Sequence, residues 1–581
     1  MSGREPALTA RGRLVLATAV LLLLAGTALG VWALVGFGLV VLSLLLCMYL
    51  AFYPAALALW RRHVEFSWRV GAGSGPLKTR TAAPVRLVAG GVIPVELTVR
   101  NRAPVALGEA RFELMTSSVV EPPHPPGLPA RTPLGLRIGP RTEASLVVET
   151  RVPVAGYWCL HGALVHLRDP LGLARLRAYF PAPLPLRTWP RAGWRAMLPA
   201  PAVPHARLGP VARRLLGQGG DLRELRDHVP GDPFKRIAWK ATARTGRLMV
   251  RELDQEALRG HYLLVDVGAS MRESREVRSK LDHAVELCAT YARAALASGD
   301  RVGLIAFDHR IHRHLRSDDR AAAWMRLAEC LMDVACPVDP ELTELTDGEL
   351  VASVARYLRH QEGVEARIVG APKVDDARWA RIVAGPDGAL YDMEVIGRTV
   401  GKLLLSRPGA EAGPGAQEIR RLVATLGSDR EMAELRLFCR LRGIELPPRR
   451  TSGGPAWKRA FAAALEQVAE MRAPQRVLIW SDLRGLEGDL TMLGRAALLA
   501  RRRGHQLICL LPETVAYARL PPGEAAARAA TIFAWEERRR EQTAERQLEC
   551  LGVSVQRLGP RDGIEAVLGR LAGGRGRRRR R

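Results

Sequence analysis

From Leu14 to Trp60 the chain runs for 47 residues without an Asp, Glu, Lys, Arg or His. One helix needs about 20 apolar residues to cross a bilayer, so this stretch predicts two helices joined by a short turn. The turn belongs between Gly30 and Gly38. Arg4, Arg11 and Arg13 precede the stretch, and Arg61 and Arg62 follow it. Basic residues at both ends place both on the cytoplasmic side. Residues 1–62 are therefore expected to form a multi-pass hairpin anchor in the inner (cytoplasmic) membrane, with the soluble domains cytoplasmic. The alternative takes Leu14–Ala25 as the core of a cleaved signal peptide and the second segment as a stop-transfer helix. It leaves the C-terminal bulk on the same side. The lack of ionisable groups within the pair argues for an anchor rather than a transport path.

A chain of 581 residues is too long for one ordinary domain. Lys and Arg outnumber Asp and Glu by 86 to 59, a net charge of +27, which favours anionic partners: lipid head groups, nucleic acid or an acidic protein face. The eight cysteines form no C-x-x-C pair and lie in apolar stretches, which excludes a disulfide framework or zinc module and predicts reduced core thiols.

Residues 63–204 read as a small β-sandwich. Val95–Val99, Ala144–Thr150 and Ala163–Leu167 alternate apolar and polar, and Pro-rich turns such as Glu121–Pro126 lie between them. Pro181–Pro204 reads as a closing linker. Residues 205–260 join this region to an α/β domain over 261–572. There, apolar strands at Tyr262–Val265, Val302–Phe307, Val477–Trp480, Leu507–Leu511 and Val553–Val555 alternate with helical patterns at 276–298, 456–471, 490–503 and 522–549. That order predicts a doubly wound sheet. Residues 338–450 look like a helical insertion, and 573–581 form a basic tail suited to anionic lipid.

Asp266-Val267-Gly268-Ala269-Ser270 directly follows the first buried strand. Ligands of open α/β sheets sit at the carboxyl ends of strands, and an Asp with a nearby hydroxyl there offers oxygens to a hard cation such as Mg²⁺. The segment resembles the metal-ion-dependent adhesion site of von Willebrand factor type A domains, whose motif is Asp-x-Ser-x-Ser with a Thr from a second loop and an Asp after a later strand. The resemblance assigns Asp266 and Ser270 to the first motif and Asp482 to the later Asp. Thr451, with Ser452 as its rival, takes the loop position. Gly268 stands where the motif has its first Ser, so one ligand oxygen is missing. In intact sites of this kind the partner protein completes the coordination, and no bond is broken.

A second motif lies within Gly217–Glu252. Pro230-Gly231 makes a turn, Asp232 suits an N-cap, and Pro233 suits the first position of a helix. Phe234, Ile237, Ala238 and Ala241 then share a face, and Gly246 ends the helix. Trp239 and that face are expected to bury against a neighbour. Arg226, Asp227, Pro230, Gly231, Asp232, Ile237, Trp239, Ala243 and Arg244 resemble the signature of the domain of unknown function 58 family. Asp169-Pro170-Leu171-Gly172-Leu173, Phe438–Ile444 and Arg503-Gly504-His505 also fit it. The resemblance implies a membrane-bound companion of MoxR-type AAA+ ATPases that acts in assembly or maturation of envelope or other complexes.

The expected function is therefore a membrane-anchored scaffold that docks a protein partner, and not an enzyme. There is no phosphate-binding loop of the Walker type, no H-E-x-x-H and no G-x-S-x-G. The alternatives are a metal-dependent hydrolase built on Asp266 and Asp482, or a basic surface for anionic lipid or nucleic acid. A nucleic-acid role lacks aromatics interleaved with the basic residues. His309, His312 and His314 cluster on a strand or hairpin, with His312 and His314 on one face; a metal site there needs a further ligand, and the alternative is an exposed strand edge.

Overall fold

The computed structural model describes residues 7–60, 63–70, 85–124, 134–169, 171–191, 221–228, 237–254, 260–273, 278–320, 322–369, 381–405, 429–450, 454–517 and 524–563. They fall into two units. The first comprises Met1–Trp194, Glu276–Glu286 and Ala328–Thr451; the second comprises Arg195–Arg275, Leu287–Leu327 and Ser452–Arg581.

The first unit opens with strand β1 (Ala7–Leu8) and the helices α1 (Ala10–Leu29) and α2 (Trp32–Trp60), both long and apolar enough to cross a membrane. The turn between them is only Gly30-Val31, and Gly30 takes φ 65°, a conformation that favours glycine. Small residues let the helices approach closely. A Cβ on Gly26 would lie 2.9 Å from the Val35 nitrogen, and one on Gly38 would lie 3.1 Å from the Ala19 carbonyl. Leu14, Trp32, Phe37 and Leu46 are exposed, an apolar surface that suits lipid better than water.

Both outer ends of the hairpin are tied to one β module. The Thr9 hydroxyl accepts from the Gly12 N–H at 3.1 Å and donates to the Gly172 carbonyl at 2.8 Å, while β1 pairs with Ala174 and Arg175. At the other end Phe52, Ala55, Ala56, Ala58 and Leu59 enter the core of the sheets. The module's strands are β2 (Val64–Val70), β3 (Val85–Val88), β4 (Val92–Asn101), β5 (Gly108–Thr116), β6 (Glu121–His124), β7 (Leu134–Ile138), β8 (Glu143–Arg151), β9 (Gly156–Arg168) and β10 (Ala174–Trp189). One sheet has the order β1-β10-β9-β5-β7, with β3 also on β10; the other has the order β2-β4-β8-β6. Both feed one core, where Phe66, Trp68, Leu97 and Val148 of one sheet join Phe112, Leu160, Val165 and Leu184 of the other.

Two proline-rich stretches differ from their sequence reading. Pro181–Trp189 is not linker but the second half of β10, because Ala182, Leu184 and Leu186 bury in alternation and the prolines fall at a register shift between Pro181 and Leu184. Glu121–His124 is not a turn but the edge strand β6, where a missing N–H costs little. The rest of Pro181–Pro204, from residue 192, lies outside the described residues. Of the cysteines, Cys47 and Cys550 are exposed, against the expectation of core thiols throughout; Cys159, Cys288, Cys330, Cys439 and Cys509 are buried.

Ala328–Thr451 interrupts the second unit in sequence but belongs to the first in space. It has its own small core of Leu350, Val354, Leu358, Ile396, Val400 and Phe438, built by helices Asp347–Tyr357, Met393–Leu405 and Arg430–Leu441. It meets the segment after β5, where the Ser117 hydroxyl donates to the Gly443 carbonyl at 3.2 Å and the Ser118 hydroxyl donates to Glu445 at 2.7 Å.

In the second unit β11 (Asp221–Asp227) pairs antiparallel with β12 (Met249–Asp254). The main sheet contains β13 (Gly260–Asp266), β14 (Arg301–Phe307), β15 (Ile311–Asp318), β16 (Gln475–Trp480), β17 (Gln506–Pro512) and β18 (Ser554–Leu558). Its order is β15-β14-β13-β16-β17-β18. All neighbours are parallel except β15, which is antiparallel at the edge. Every residue of β13 is buried, as an unbroken apolar run requires. Helices Gly454–Ala469, Thr491–Arg502 and Glu524–Cys550 cover this sheet with Phe461, Leu465, Ala497 and Leu548.

The tie between α1 and β10 is tested at Gly12, where a Cβ would sit 2.2 Å from the Leu173 carbonyl oxygen. Gly12→Val is expected to cost about 1–3 kcal/mol by overpacking. It should speed amide exchange at Thr9 and Ala174 in detergent micelles, with the core of β9 unchanged. Wild-type exchange at Thr9 contradicts this packing.

Candidate functional site

Parallel strands end together, so residues just past their carboxyl ends share one rim. β13 ends in Asp266, Asp308 follows β14, and Asp482 lies two residues past β16. These come from three adjacent strands, and the three residues are 2%, 4% and 0% exposed. Burying like charges at this density is unfavourable unless donors or cations compensate them.

Asp266 is compensated by donors. Its Oδ1 accepts the Gly268 N–H at 2.9 Å. Its Oδ2 accepts the Trp457 indole N–H at 2.9 Å and the Ser481 hydroxyl at 2.6 Å. Burial, and then the charge of Asp482, push its pKa up from 3.8 to about 7 against the pull of those hydrogen bonds. Asp482 accepts the Ser270 hydroxyl at 3.0 Å and the Arg484 N–H at 3.3 Å, with the Arg484 guanidinium 3.9 Å from its other oxygen. Arg540 donates to the Asp482 carbonyl at 3.1 Å. Arg484 also pairs with Glu273 and Glu537, at 3.0 and 3.1 Å. The Asp308 carboxylate borders Gly268, whose Cβ would lie 3.2 Å from Asp308 Oδ1 and 3.0 Å from Asp266 Oδ1.

Of the residues assigned from sequence, Asp266, Ser270 and Asp482 therefore meet at one place, although Ser270 and Asp482 are 212 positions apart. Thr451 and its rival Ser452 lie outside the described residues, as do Pro230, Gly231 and Asp232. Arg226 and Asp227 close β11, and Arg244 lies in the last turn of helix Trp239–Thr245. Gly246 ends that helix at φ 69°, but Ala238 is its N-cap and Ile237 bridges Val250, so Ile237 is not on a helical face. Trp239 is 62% exposed, which corrects the expectation that it buries; the neighbouring Ile237 and Ala238 are buried instead. Sequence reasoning missed Asp308, Trp457 and Ser481. Asp308 carried a signal, since it follows an apolar strand as Asp266 ends one. The other two act only as donors in three dimensions and had none.

The donor set suits a hard cation. Asp266, Ser270 and Asp482 supply side-chain oxygens, and a divalent ion takes such ligands while keeping several waters. A Ser in place of Gly268 would have to fit against the Asp266 and Asp308 carboxylates. These are the residues that would hold Mg²⁺, which would supply charge compensation and one position for a partner carboxylate.

The model of the family described as protein of unknown function DUF58 matches residues 224–362, which include the segment around Trp239, Asp266, Ser270 and Asp308. No curated protein matches. Among solved structures, a CARDB domain from Pyrococcus furiosus aligns at 9% identity over 22% of this chain and 91% of its own, with a TM-score of 0.14. A GH20 exo-β-N-acetylglucosaminidase from Vibrio harveyi aligns at 9% identity over 77% of this chain and 82% of its own, with a TM-score of 0.15. Likeness at that level carries no argument about fold or activity.

The raised pKa of Asp266 sets a pH dependence. An acid held above its unfolded value stabilises the fold fully below pH 3.8, and that contribution is lost as pH rises to about 7. The span corresponds to about 4 kcal/mol. With chelator present, Asp266→Asn should flatten the fall in stability between pH 4 and 7 relative to wild type, read by thermal melting in detergent. Parallel curves for the two proteins contradict the assignment.

Proposed function

We propose that this protein is a membrane-anchored scaffold of the type suggested by its resemblance to the domain of unknown function 58 family. In this reading the hairpin lies in the cytoplasmic membrane and the two units face the cytoplasm. The second unit acts as a von Willebrand factor type A-like docking domain, and the first unit's sheets form a β-sandwich. The partner is a MoxR-type AAA+ ATPase, and the pair serves assembly or maturation of another complex.

The observation that carries the reading is the convergence of Asp266, Ser270 and Asp482 at the rim of a parallel sheet. Such a rim suits recognition. A bound Mg²⁺ would present positive charge to an acidic group on the partner. Exposed Trp239, flanked by exposed Lys240, Arg244 and Arg247, adds a surface of the kind that anchors protein interfaces. The hydrolase alternative fits less well. Burial and three hydrogen-bond donors fix the Asp266 carboxyl in place, which favours holding an ion over exchanging a proton with a substrate. The basic tail, for which anionic lipid remains the proposed contact, lies outside the described residues.

The test is capture of a purified MoxR-type ATPase by the full-length chain in detergent, with Mg²⁺ and ATP present throughout. Asp482→Asn keeps the shape of the rim and removes its charge. Capture is expected to fall about 10-fold or more in Asp482→Asn and in Trp239→Ala, with melting temperatures near wild type. Absence of capture by wild type, or equal capture by all three proteins, overturns the reading.

A further inference from the structure

The hairpin joining β14 to β15 carries Asp308-His309-Arg310-Ile311-His312. The Asp308 N–H donates to the Arg310 carbonyl at 2.9 Å, so the chain reverses at once and Ile311 lies opposite Phe307. That tight reversal lays the His309 ring, at the tip, beside the His312 ring at the start of β15. Their centroids are 5.3 Å apart at 73°. His309 Nδ1 is 3.3 Å from Asp308 Oδ2. One ligand atom from each of Asp308, His309 and His312 falls within 4.8 Å of the others. His314, which strand alternation pairs with His312, lies instead beside Tyr262, with centroids 6.2 Å apart.

We propose that Asp308, His309 and His312 form a binding site for a borderline-soft divalent transition-metal ion, with Zn²⁺ the best fit. Two imidazoles and one carboxylate make a nitrogen-rich donor set, which favours Zn²⁺ and its neighbours over Mg²⁺. Tetrahedral ligation at about 2.0–2.2 Å places ligand atoms roughly 3.4 Å apart. The Asp308–His309 pair, at 3.3 Å, already meets that spacing, and His312 has to close from within 4.8 Å. Three protein ligands leave a fourth position for water or for a donor from a partner. Asp308 is 4% exposed and His312 is 9% exposed, while the His309 side chain is 27% exposed, so an ion would enter past His309. The environment favours a cation for a second reason. Asp308 turns one oxygen to His309 and the other toward Gly268, beside Asp266, so an ion here would also offset the negative charge of the rim. The site is chemically distinct from the all-oxygen rim and does not depend on the docking proposal.

The experiment uses the full-length chain in detergent, stripped with a chelator and titrated with Zn²⁺ in competition with a chromophoric chelator. Co²⁺ then serves as the spectroscopic substitute. Wild type is expected to bind Zn²⁺ tightly and to give the intense visible bands of low-symmetry Co²⁺ with nitrogen ligands. His309→Ala and His312→Ala should each weaken Zn²⁺ binding by about 10-fold or more, since even supporting partners of metal ligands carry that much. His314→Ala should leave it unchanged, and Asp482→Asn should weaken it far less than either histidine variant. Because buried His312 could be needed for folding, the partly exposed His309 is the deciding variant, with melting of the metal-free proteins as its control. Wild type that binds no Zn²⁺ at micromolar concentration overturns the proposal. So does binding that survives His309→Ala, or that is lost in Asp482→Asn and would thereby belong to the rim.

Discussion

The strongest constraint in this molecule is electrostatic: Asp266 and Asp482 are buried together at the ends of neighbouring strands. Each disfavours the charge of the other, and burial multiplies the effect. The surroundings are arranged to answer that repulsion. Trp457 reaches from helix Gly454–Ala469, Ser481 and Arg484 come from the segment after β16, and Ser270 and the Gly268 N–H come from the segment after β13. A core is built far more simply with apolar residues. The rim instead keeps two carboxylates, with a third in Asp308, held by hydrogen-bond donors from several segments.

The hairpin imposes a second constraint. Its apolar surface is unsuited to water, yet its two outer ends are fixed to the same β module, one through Thr9 and β1 and the other through Phe52–Leu59. A two-residue turn at Gly30-Val31 and outer ends held by one module make a rigid stem. If the stem crosses a bilayer, the module sits directly at the membrane surface. Geometry of that kind suits a platform better than a mobile tether.

Much of this was legible in the sequence, and the failures have physical causes. The uncharged stretch predicted two helices because no other structure satisfies that many apolar residues. The buried strands from Tyr262 to Val555 were legible because parallel strands covered on both sides are continuously apolar. Asp266 stood out because it closes such a strand, and Ser270 and Asp482 were assigned through the resemblance to the adhesion-site motif. The prolines of β10 misled, since burial of Leu184 and Leu186 outweighed the loss of backbone donors at a register shift. Trp239 misled for the opposite reason: an aromatic residue reads as core unless the neighbours that exclude it are known. The pairing of His309 with His312 could not be read from alternation, because it depends on where the hairpin turns. Trp457 and Ser481 serve the site from distant positions with no motif of their own.

The central claim is that the oxygens of Asp266, Ser270 and Asp482 form one cation-receiving rim. Anomalous diffraction from crystals of the full chain grown with Mn²⁺ measures this most directly, since Mn²⁺ takes the same oxygen ligands as Mg²⁺ and scatters more strongly. The account predicts an anomalous peak within bonding distance of oxygens from Asp482 and Ser270, with Asp266 alongside. A map in which these side chains are separated, or in which the rim stays without a peak at saturating Mn²⁺, contradicts it.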